Sequence, residues 1–112
     1  LFSVLPEHFW MTEFHQDHIT ALPEGAIRLA ETDRTPVQGF RLGTCQWGLQ
    51  FHPEAAYANI LDWDADDQAA CERDGGPWSE LVATAKAHDA ENTSEAHAFA
   101  TRFADLVLGT AR

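Results

Sequence analysis

The spacing of apolar residues changes at Pro53, and this change is the strongest constraint on the fold of the chain. Before Pro53, short apolar runs alternate with stretches rich in Pro, Gly, Asp and Thr, a pattern typical of strands and turns. After Pro53, apolar residues recur every three or four positions, which is the period of an α-helix. Strands in the first half and helices in the second predict part of an α/β layered domain.

Four apolar runs predict the strands of the first half. They lie at residues 9–11, 26–30, 37–42 and 47–51. Residues 12–14 also have strand character, whereas the short loop after Leu42 contains Gly43 and connects two of the runs. A Gly-containing loop between two strand-like runs is typical of a β-hairpin, so we expect 37–42 to pair with 47–51.

Three apolar stripes with helical spacing predict the helices of the second half. They cover residues 56–63, 78–85 and 96–107. Pro53 precedes the first stripe, at a position where we expect the first turn of a helix to tolerate proline. Asn92–Glu95 resembles a capping box and predicts the start of the last helix, which we expect to end before Gly109.

The charge of the chain excludes several classes of function. Seven Lys and Arg against eighteen Asp and Glu give a formal charge of −11, which argues against binding nucleic acid phosphates. No stretch approaches the ~18 apolar residues of a membrane helix, and no secretory signal is visible. We therefore expect the chain to have no membrane partner and a cytoplasmic location. Cys45 and Cys71 match no metal-binding spacing, and we expect reduced thiols.

The most informative stretch is Gln50–Glu54, where an apolar strand ends at His52, Pro53 follows and Glu54 comes next. Proline pushes the residue before it into extended geometry, and its own φ is fixed. The backbone from His52 to Glu54 therefore has few accessible conformations. A carboxylate that orients an imidazole is the base-and-orienter arrangement of a catalytic triad. The alternative is an ordinary strand-to-helix turn with an acidic helix start, which the spacing alone favours.

Several blocks of the sequence resemble class I (triad-type) glutamine amidotransferases, in the order of members similar to the glutaminase domain of GMP synthase. The stretch Gln50-Phe51-His52-Pro53-Glu54 resembles the QFHPE signature of that family. The upstream blocks of the resemblance are His15-Gln16-Asp17-His18, Leu22-Pro23-Glu24-Gly25-Ala26 and Val37-Gln38-Gly39-Phe40. The resemblance covers about residues 6–54 and implies a flavodoxin-like α/β fold.

The resemblance implies a Cys-His-Glu triad that hydrolyses the side-chain amide of glutamine and passes ammonia to an acceptor in a synthase domain or subunit. His52 then corresponds to the triad base and Glu54 to its orienting residue, while His15 and Asp17 line the substrate side. No cofactor is implied. Because the chain begins at Leu1 in mid-pattern, we expect residues 1–112 to be the C-terminal portion of a single amidotransferase domain, completed by the remainder of that domain.

One element of the family pattern, a G-x-C-x-G elbow that carries the nucleophile, does not occur in this sequence. Gly43–Gly48 is a near match, but Cys45 falls in the predicted hairpin loop, at the far end of a strand that spans roughly 20 Å before His52. We therefore expect this segment alone to be inactive. A His-x-x-His metal site at His15 and His18 is disfavoured because no further ligand spacing matches.

Two other functions fit the same residues. A γ-glutamyl hydrolase of the same fold would release its product to water, and a non-catalytic module would keep the fold without the nucleophile. The identity of the ammonia acceptor and the oligomeric state are not encoded in recognisable motifs.

Overall fold

The strands of the chain lie in the first half and the helices in the second, as the sequence predicts. A computed structural model gives the structure of residues 1–15 and 17–109, in which two compact units are distinguished. One unit is Glu13–His52, and the other combines Leu1–Thr12 with the chain from Pro53 onward. The α/β class predicted from the sequence is therefore confirmed.

The Glu13–His52 unit contains a three-stranded antiparallel sheet. Its strands are β2 (Ile27–Ala30), β3 (Gly39–Leu42) and β4 (Gln46–Leu49), in that order across the sheet. Gly39 pairs with Leu49 and Leu42 pairs with Gln46, which confirms the predicted hairpin. The turn between these strands contains Gly43 with φ +69°, a left-handed conformation that glycine adopts without a steric penalty.

The pairing of Phe40 with Gly48 brings an aromatic ring directly over a glycine of the neighbouring strand. A Cβ atom built on Gly48 would lie 2.3 Å from Cε1 of Phe40, well inside van der Waals contact. The ring therefore occupies the space that a side chain at position 48 would need. This cross-strand packing explains why a glycine is present in the middle of β4.

Two further strands, β1 (Thr12–Glu13) and β5 (Phe51–His52), form a separate two-stranded sheet. The bend at Gln50 divides β4 from β5, so the single run predicted at 47–51 forms two strands. Val37 and Phe51 are buried, at 6% and 5% exposure, and form the apolar centre of this unit. The predicted strand at 9–11 is wrong, because these residues join neither described sheet.

Four helices follow, with bounds that differ in part from those predicted. They are α1 (Tyr57–Ile60), α2 (Ala65–Gly75), α3 (Trp78–Ala87) and α4 (Asp89–Leu108). The helix predicted over 56–63 is only the single turn of α1, because Pro53 and Glu54 form a turn and Trp63 lies outside it. Helix α3 begins at Trp78, where the second predicted stripe begins, and α4 ends at Leu108, before Gly109 with its φ of 72°, as predicted.

The start of α4 differs from the predicted capping box. The helix begins at Asp89, so Asn92 lies inside it and is buried, at 8% exposure. The Asn92 side-chain amide donates to the carbonyl oxygen of Ala55 at 3.3 Å. Tertiary burial has therefore replaced the local capping role that the sequence predicts for Asn92.

Aromatic contacts hold the first residues of the chain on α4. Phe2 packs edge-on against Phe99, with ring centroids 5.2 Å apart, and Phe99 is buried. The ring of Trp10 stacks on His88 at 3.6 Å, while the backbone N–H of Trp10 donates to the Glu95 carboxylate at 3.0 Å. This packing gives the segment around Trp10 a helix as its partner, which explains the missing strand there.

Helix α2 begins in an acidic stretch, directly after Asp64. The Asp64 carboxylate accepts a hydrogen bond from the backbone N–H of Asp67 at 2.9 Å and caps the helix. Among the helices of residues 1–15 and 17–109, none has both the length and the apolar character needed to cross a bilayer.

Candidate functional site

His52, the predicted base, ends strand β5 and is half-buried. Its Nε2 atom lies 3.0 Å from the carbonyl oxygen of Phe14. Because a carbonyl oxygen only accepts hydrogen bonds, Nε2 carries the hydrogen of this contact and donates it. The imidazole is thereby held in one orientation by the backbone of a segment 38 residues away in the sequence.

The alternation of an extended chain explains why His52 faces this segment. Successive side chains of a strand point to opposite faces, so within β5 His52 faces away from Phe51, and the side chains of Gln50 and His52 both contact the segment 14–19. Phe51 is buried, which turns the two polar neighbours away from the apolar centre. The sequence Gln50-Phe51-His52 thus directs an amide and an imidazole to the same segment of the chain.

Gln50 uses both polar atoms of its side chain on the same segment. The backbone N–H of Ile19 donates to Oε1 of Gln50 at 2.8 Å, and Nε2 of Gln50 donates to the carbonyl oxygen of Asp17 at 3.1 Å. Gln50 and His52 together fix this segment at Phe14, Asp17 and Ile19. We call the described residues 14, 15 and 17–19 the substrate-side loop, after the role that the resemblance implies for His15 and Asp17.

The two residues predicted to line the substrate side lie together in this loop. Nδ1 of half-buried His15 donates to the carbonyl oxygen of Asp17 at 2.9 Å. The contact uses the backbone of Asp17, whose residue is exposed, rather than its carboxylate. The carbonyl oxygen of Asp17 therefore accepts two hydrogen bonds, from His15 and from Gln50.

His18 is a second histidine of the same loop. Its ring lies edge-on to that of His15, with centroids 5.2 Å apart, and its Nδ1 atom lies 3.4 Å from Oγ1 of buried Thr35. In the described part of the chain, no group of three or more His, Cys, Asp or Glu residues is arranged to hold a metal ion.

Glu54, the predicted orienting residue, is exposed and lies in the turn that follows β5. The sequence predicts that Glu54 opens a helix, and this prediction is wrong because α1 begins only at Tyr57. The helix is delayed because the backbone N–H of Ala56 is taken by the Asn59 side chain at 2.8 Å, which sets the helix start there. The assignment of Glu54 to the triad stays a prediction.

Neither cysteine lies in an environment that activates a thiol. Cys45 is exposed in the turn between β3 and β4, as the sequence predicts. Burial, and then the carboxylate of Asp67 one helical turn before it, raise the pKa of the Cys71 thiol. A raised pKa keeps the thiol protonated, whereas an attacking cysteine must be a thiolate.

Comparison with known proteins finds a series of glutamine-hydrolysing GMP synthases. GMP synthase 1 of Bacteroides thetaiotaomicron is 34% identical over 80 residues, which are 67% of this chain and 15% of that protein. The enzyme of Porphyromonas gingivalis is 50% identical over 46 residues, 40% of this chain and 9% of its own length. The enzyme of Thermosipho africanus is 38% identical over 66 residues, 55% of this chain and 12% of its own.

The chain contains part of a class I glutamine amidotransferase region. It spans between 9% and 15% of the length of these three relatives. No protein-family model matches the sequence, and no solved structure matches it significantly. The described strands and helices show the α/β class, and the amidotransferase relatives imply the flavodoxin-like fold.

Sequence reasoning missed two participants of this amidotransferase region. Gln50 enters the sequence argument only as part of the signature-like stretch, although its side chain makes two hydrogen bonds to the substrate-side loop. The carbonyl of Phe14 carries no sequence signal, because every residue has one. The polar–apolar–polar order of Gln50, Phe51 and His52 is the signal in the sequence that indicates a role for Gln50 near the predicted base.

Proposed function

We propose that this chain supplies His52 and Glu54 to the Cys-His-Glu triad of a glutamine amidotransferase. The proposal is that residues 1–112 form the C-terminal portion of the glutaminase domain and that the nucleophilic cysteine comes from another part of that domain. Similarity to glutamine-hydrolysing GMP synthases supports the reaction class. The observation that carries the assignment of the base is the hydrogen bond that orients His52 toward the substrate-side loop.

In the proposed reaction, the cysteine sulfur attacks the side-chain amide carbon of glutamine. His52 takes the thiol proton and gives it to the leaving nitrogen, so that ammonia departs and a γ-glutamyl thioester forms. Water, deprotonated by the same imidazole, then attacks the thioester and releases glutamate and the thiol. Glu54 acts as a positioning residue, because its negative charge stabilises the imidazolium that forms in each step.

Glutamine is the proposed substrate, with the substrate-side loop forming one wall of its site. His15 and Asp17 contribute there through the loop conformation that their own hydrogen bond stabilises. The ammonia would pass to a synthase domain or subunit, and the names of the relatives make a GMP-forming acceptor the preferred candidate. No cofactor takes part in this scheme, and the proposed location is the cytoplasm.

The decisive experiment replaces His52 by Ala in the intact protein that carries this chain. We expect glutamine-dependent turnover to fall by about 10³-fold or more, since the step loses its general base and acid. Turnover with free ammonia at the acceptor site should stay near the wild-type rate, because ammonia bypasses the amide cleavage. A thermal melt confirms folding, and His97→Ala is the matched control, since His97 is an exposed histidine of α4.

The outcomes separate the proposal from its alternatives. Equal loss of glutamine- and ammonia-dependent rates in folded His52→Ala protein would contradict the role of His52 as base. Glutamine hydrolysis without any ammonia-accepting reaction would favour a γ-glutamyl hydrolase. A wild-type protein that hydrolyses no glutamine under any condition would favour a non-catalytic module.

A further inference from the structure

Gln50 forms hydrogen bonds through both its backbone and its side chain. Its backbone N–H donates to the carbonyl oxygen of Gln38 at 2.8 Å, and Gln38 is buried beside β3, at 3% exposure. Its carboxamide then reaches the substrate-side loop, where it accepts from Ile19 and donates to Asp17. One glutamine therefore connects buried Gln38, the residue before β3, to the loop through three hydrogen bonds.

The two hydrogen bonds to the loop require a carboxamide. Ile19 offers a donor and Asp17 offers an acceptor, so the partner must present an acceptor and a donor on one short group. A carboxylate would accept from Ile19 but would turn a second oxygen toward the carbonyl of Asp17. An apolar side chain of the same length would leave both backbone groups without these partners.

We propose that Gln50 is a positioning residue that sets the affinity for glutamine by holding the substrate-side loop in its binding conformation. This inference rests on the proposed function, because it takes the loop as one wall of the glutamine site. A loop that adopts its binding conformation only part of the time weakens the apparent affinity by that fraction. The chemical groups that cleave the bound amide are unchanged by such a loss, so KM responds while kcat does not.

The test compares Gln50→Met and Gln50→Glu with wild type in the intact protein. With Gln50→Met, both hydrogen bonds are lost, and we expect KM for glutamine to rise about tenfold, the result of a binding-competent fraction near one tenth. The value of kcat with saturating glutamine, and the ammonia-dependent rate, should each change less than twofold. Gln50→Glu keeps the bond from Ile19 and should give an intermediate KM.

The backbone N–H of Ile19 provides a readout that does not depend on activity. Its hydrogen exchange should accelerate about tenfold in Gln50→Met and stay near wild type in Gln50→Glu, because the carboxylate still accepts its hydrogen bond. Gln46→Met and Gln46→Glu are the matched controls, since Gln46 is an exposed glutamine of β4 that pairs with Leu42. Both Gln46 variants should leave KM and the exchange of Ile19 unchanged.

Three outcomes would overturn the inference. Faster exchange at Ile19 with an unchanged KM would show that the loop is held but does not set affinity. A fall in kcat at constant KM would place Gln50 in the chemical step, and unchanged exchange would contradict the described hydrogen bonds. Failure of the proposed function itself is recognised separately, because His52→Ala would then leave glutamine-dependent turnover intact or remove both activities together.

Discussion

Nε2 of His52 donates a hydrogen bond to the carbonyl oxygen of Phe14, and this contact joins the end of β5 to the first residue of the substrate-side loop. A backbone acceptor cannot be removed by replacing the side chain of Phe14, so the orientation of the imidazole tolerates sequence change in the loop. The same strand end carries Gln50, which holds the loop at Asp17 and Ile19. The proposed base and the proposed substrate wall are thus supported by one short segment.

Replacing Glu54 by Gln should reduce glutamine-dependent kcat by about 10- to 100-fold, less than His52→Ala does. The substitution removes a negative charge that would stabilise the imidazolium formed in the reaction, while the base itself stays in place. Side-by-side assays with glutamine and ammonia measure the effect, and Glu24→Gln is the control, since Glu24 is an exposed loop carboxylate. A Glu54→Gln protein with full glutamine-dependent activity would remove Glu54 from the proposed triad.

The purified 112-residue segment should hydrolyse no glutamine. A base and its positioning residue without an attacking sulfur cannot form the thioester, and Cys71 is kept protonated by burial and by Asp67. A glutaminase assay that detects released ammonia tests this expectation. Activity that survives rigorous removal of contaminating enzyme, and that Cys45→Ser abolishes, would show that Cys45 acts as a nucleophile after all.

Replacing Gly48 by Ala should lower the free energy of unfolding by about 1–3 kcal/mol, the usual effect of overpacking. The new methyl group would meet the Phe40 ring, so the ring must leave its place over β4. Chemical denaturation measures the change. The double variant with Phe40→Leu should lose less stability than the sum of the two single variants, and strict additivity would mean that the ring does not cause the effect.

Replacing Asp64 by Ala should lower the free energy of unfolding by about 1 kcal/mol, because the cap of α2 is lost. The Asp64 carboxylate is the acceptor for the backbone N–H of Asp67, which no residue within the helix satisfies. Asp62→Ala is the matched control, since Asp62 is exposed and precedes the cap. Equal destabilisation by the two substitutions in a urea titration would assign the effect to net charge instead of capping.

Local rules predicted the elements whose partners are near in sequence. The hairpin of β3 and β4 follows from two strand-like runs and a Gly-containing turn, and α3 follows from its apolar stripe after Pro77. Both elements satisfy most of their backbone hydrogen bonds internally or with an adjacent strand. Short-range pattern is therefore sufficient for them.

Distant contacts decided the elements that were predicted wrongly. Residues 9–11 have the apolar character of a strand, but Trp10 stacks on His88 and its N–H bonds Glu95 on a helix nearly eighty residues later. Asn92 has the character of a cap, but its amide is satisfied by Ala55, so α4 extends to Asp89. In both cases contacts with a remote partner, a stacked ring and a hydrogen bond for Trp10 and a buried amide for Asn92, outweigh a local preference of about 1 kcal/mol.

The sequence by itself determined the order of strands and helices and the position of His52 at a strand end, directly before Pro53. The resemblance to class I amidotransferases is also carried by the sequence alone. The tertiary structure alone decided which groups His52 and Gln50 bind, because their partners are backbone atoms of Phe14, Asp17 and Ile19. Backbone carbonyl and N–H groups are the same in every residue and leave no trace in a sequence pattern. Only the folded path of the chain brings them within hydrogen-bonding distance of the two side chains.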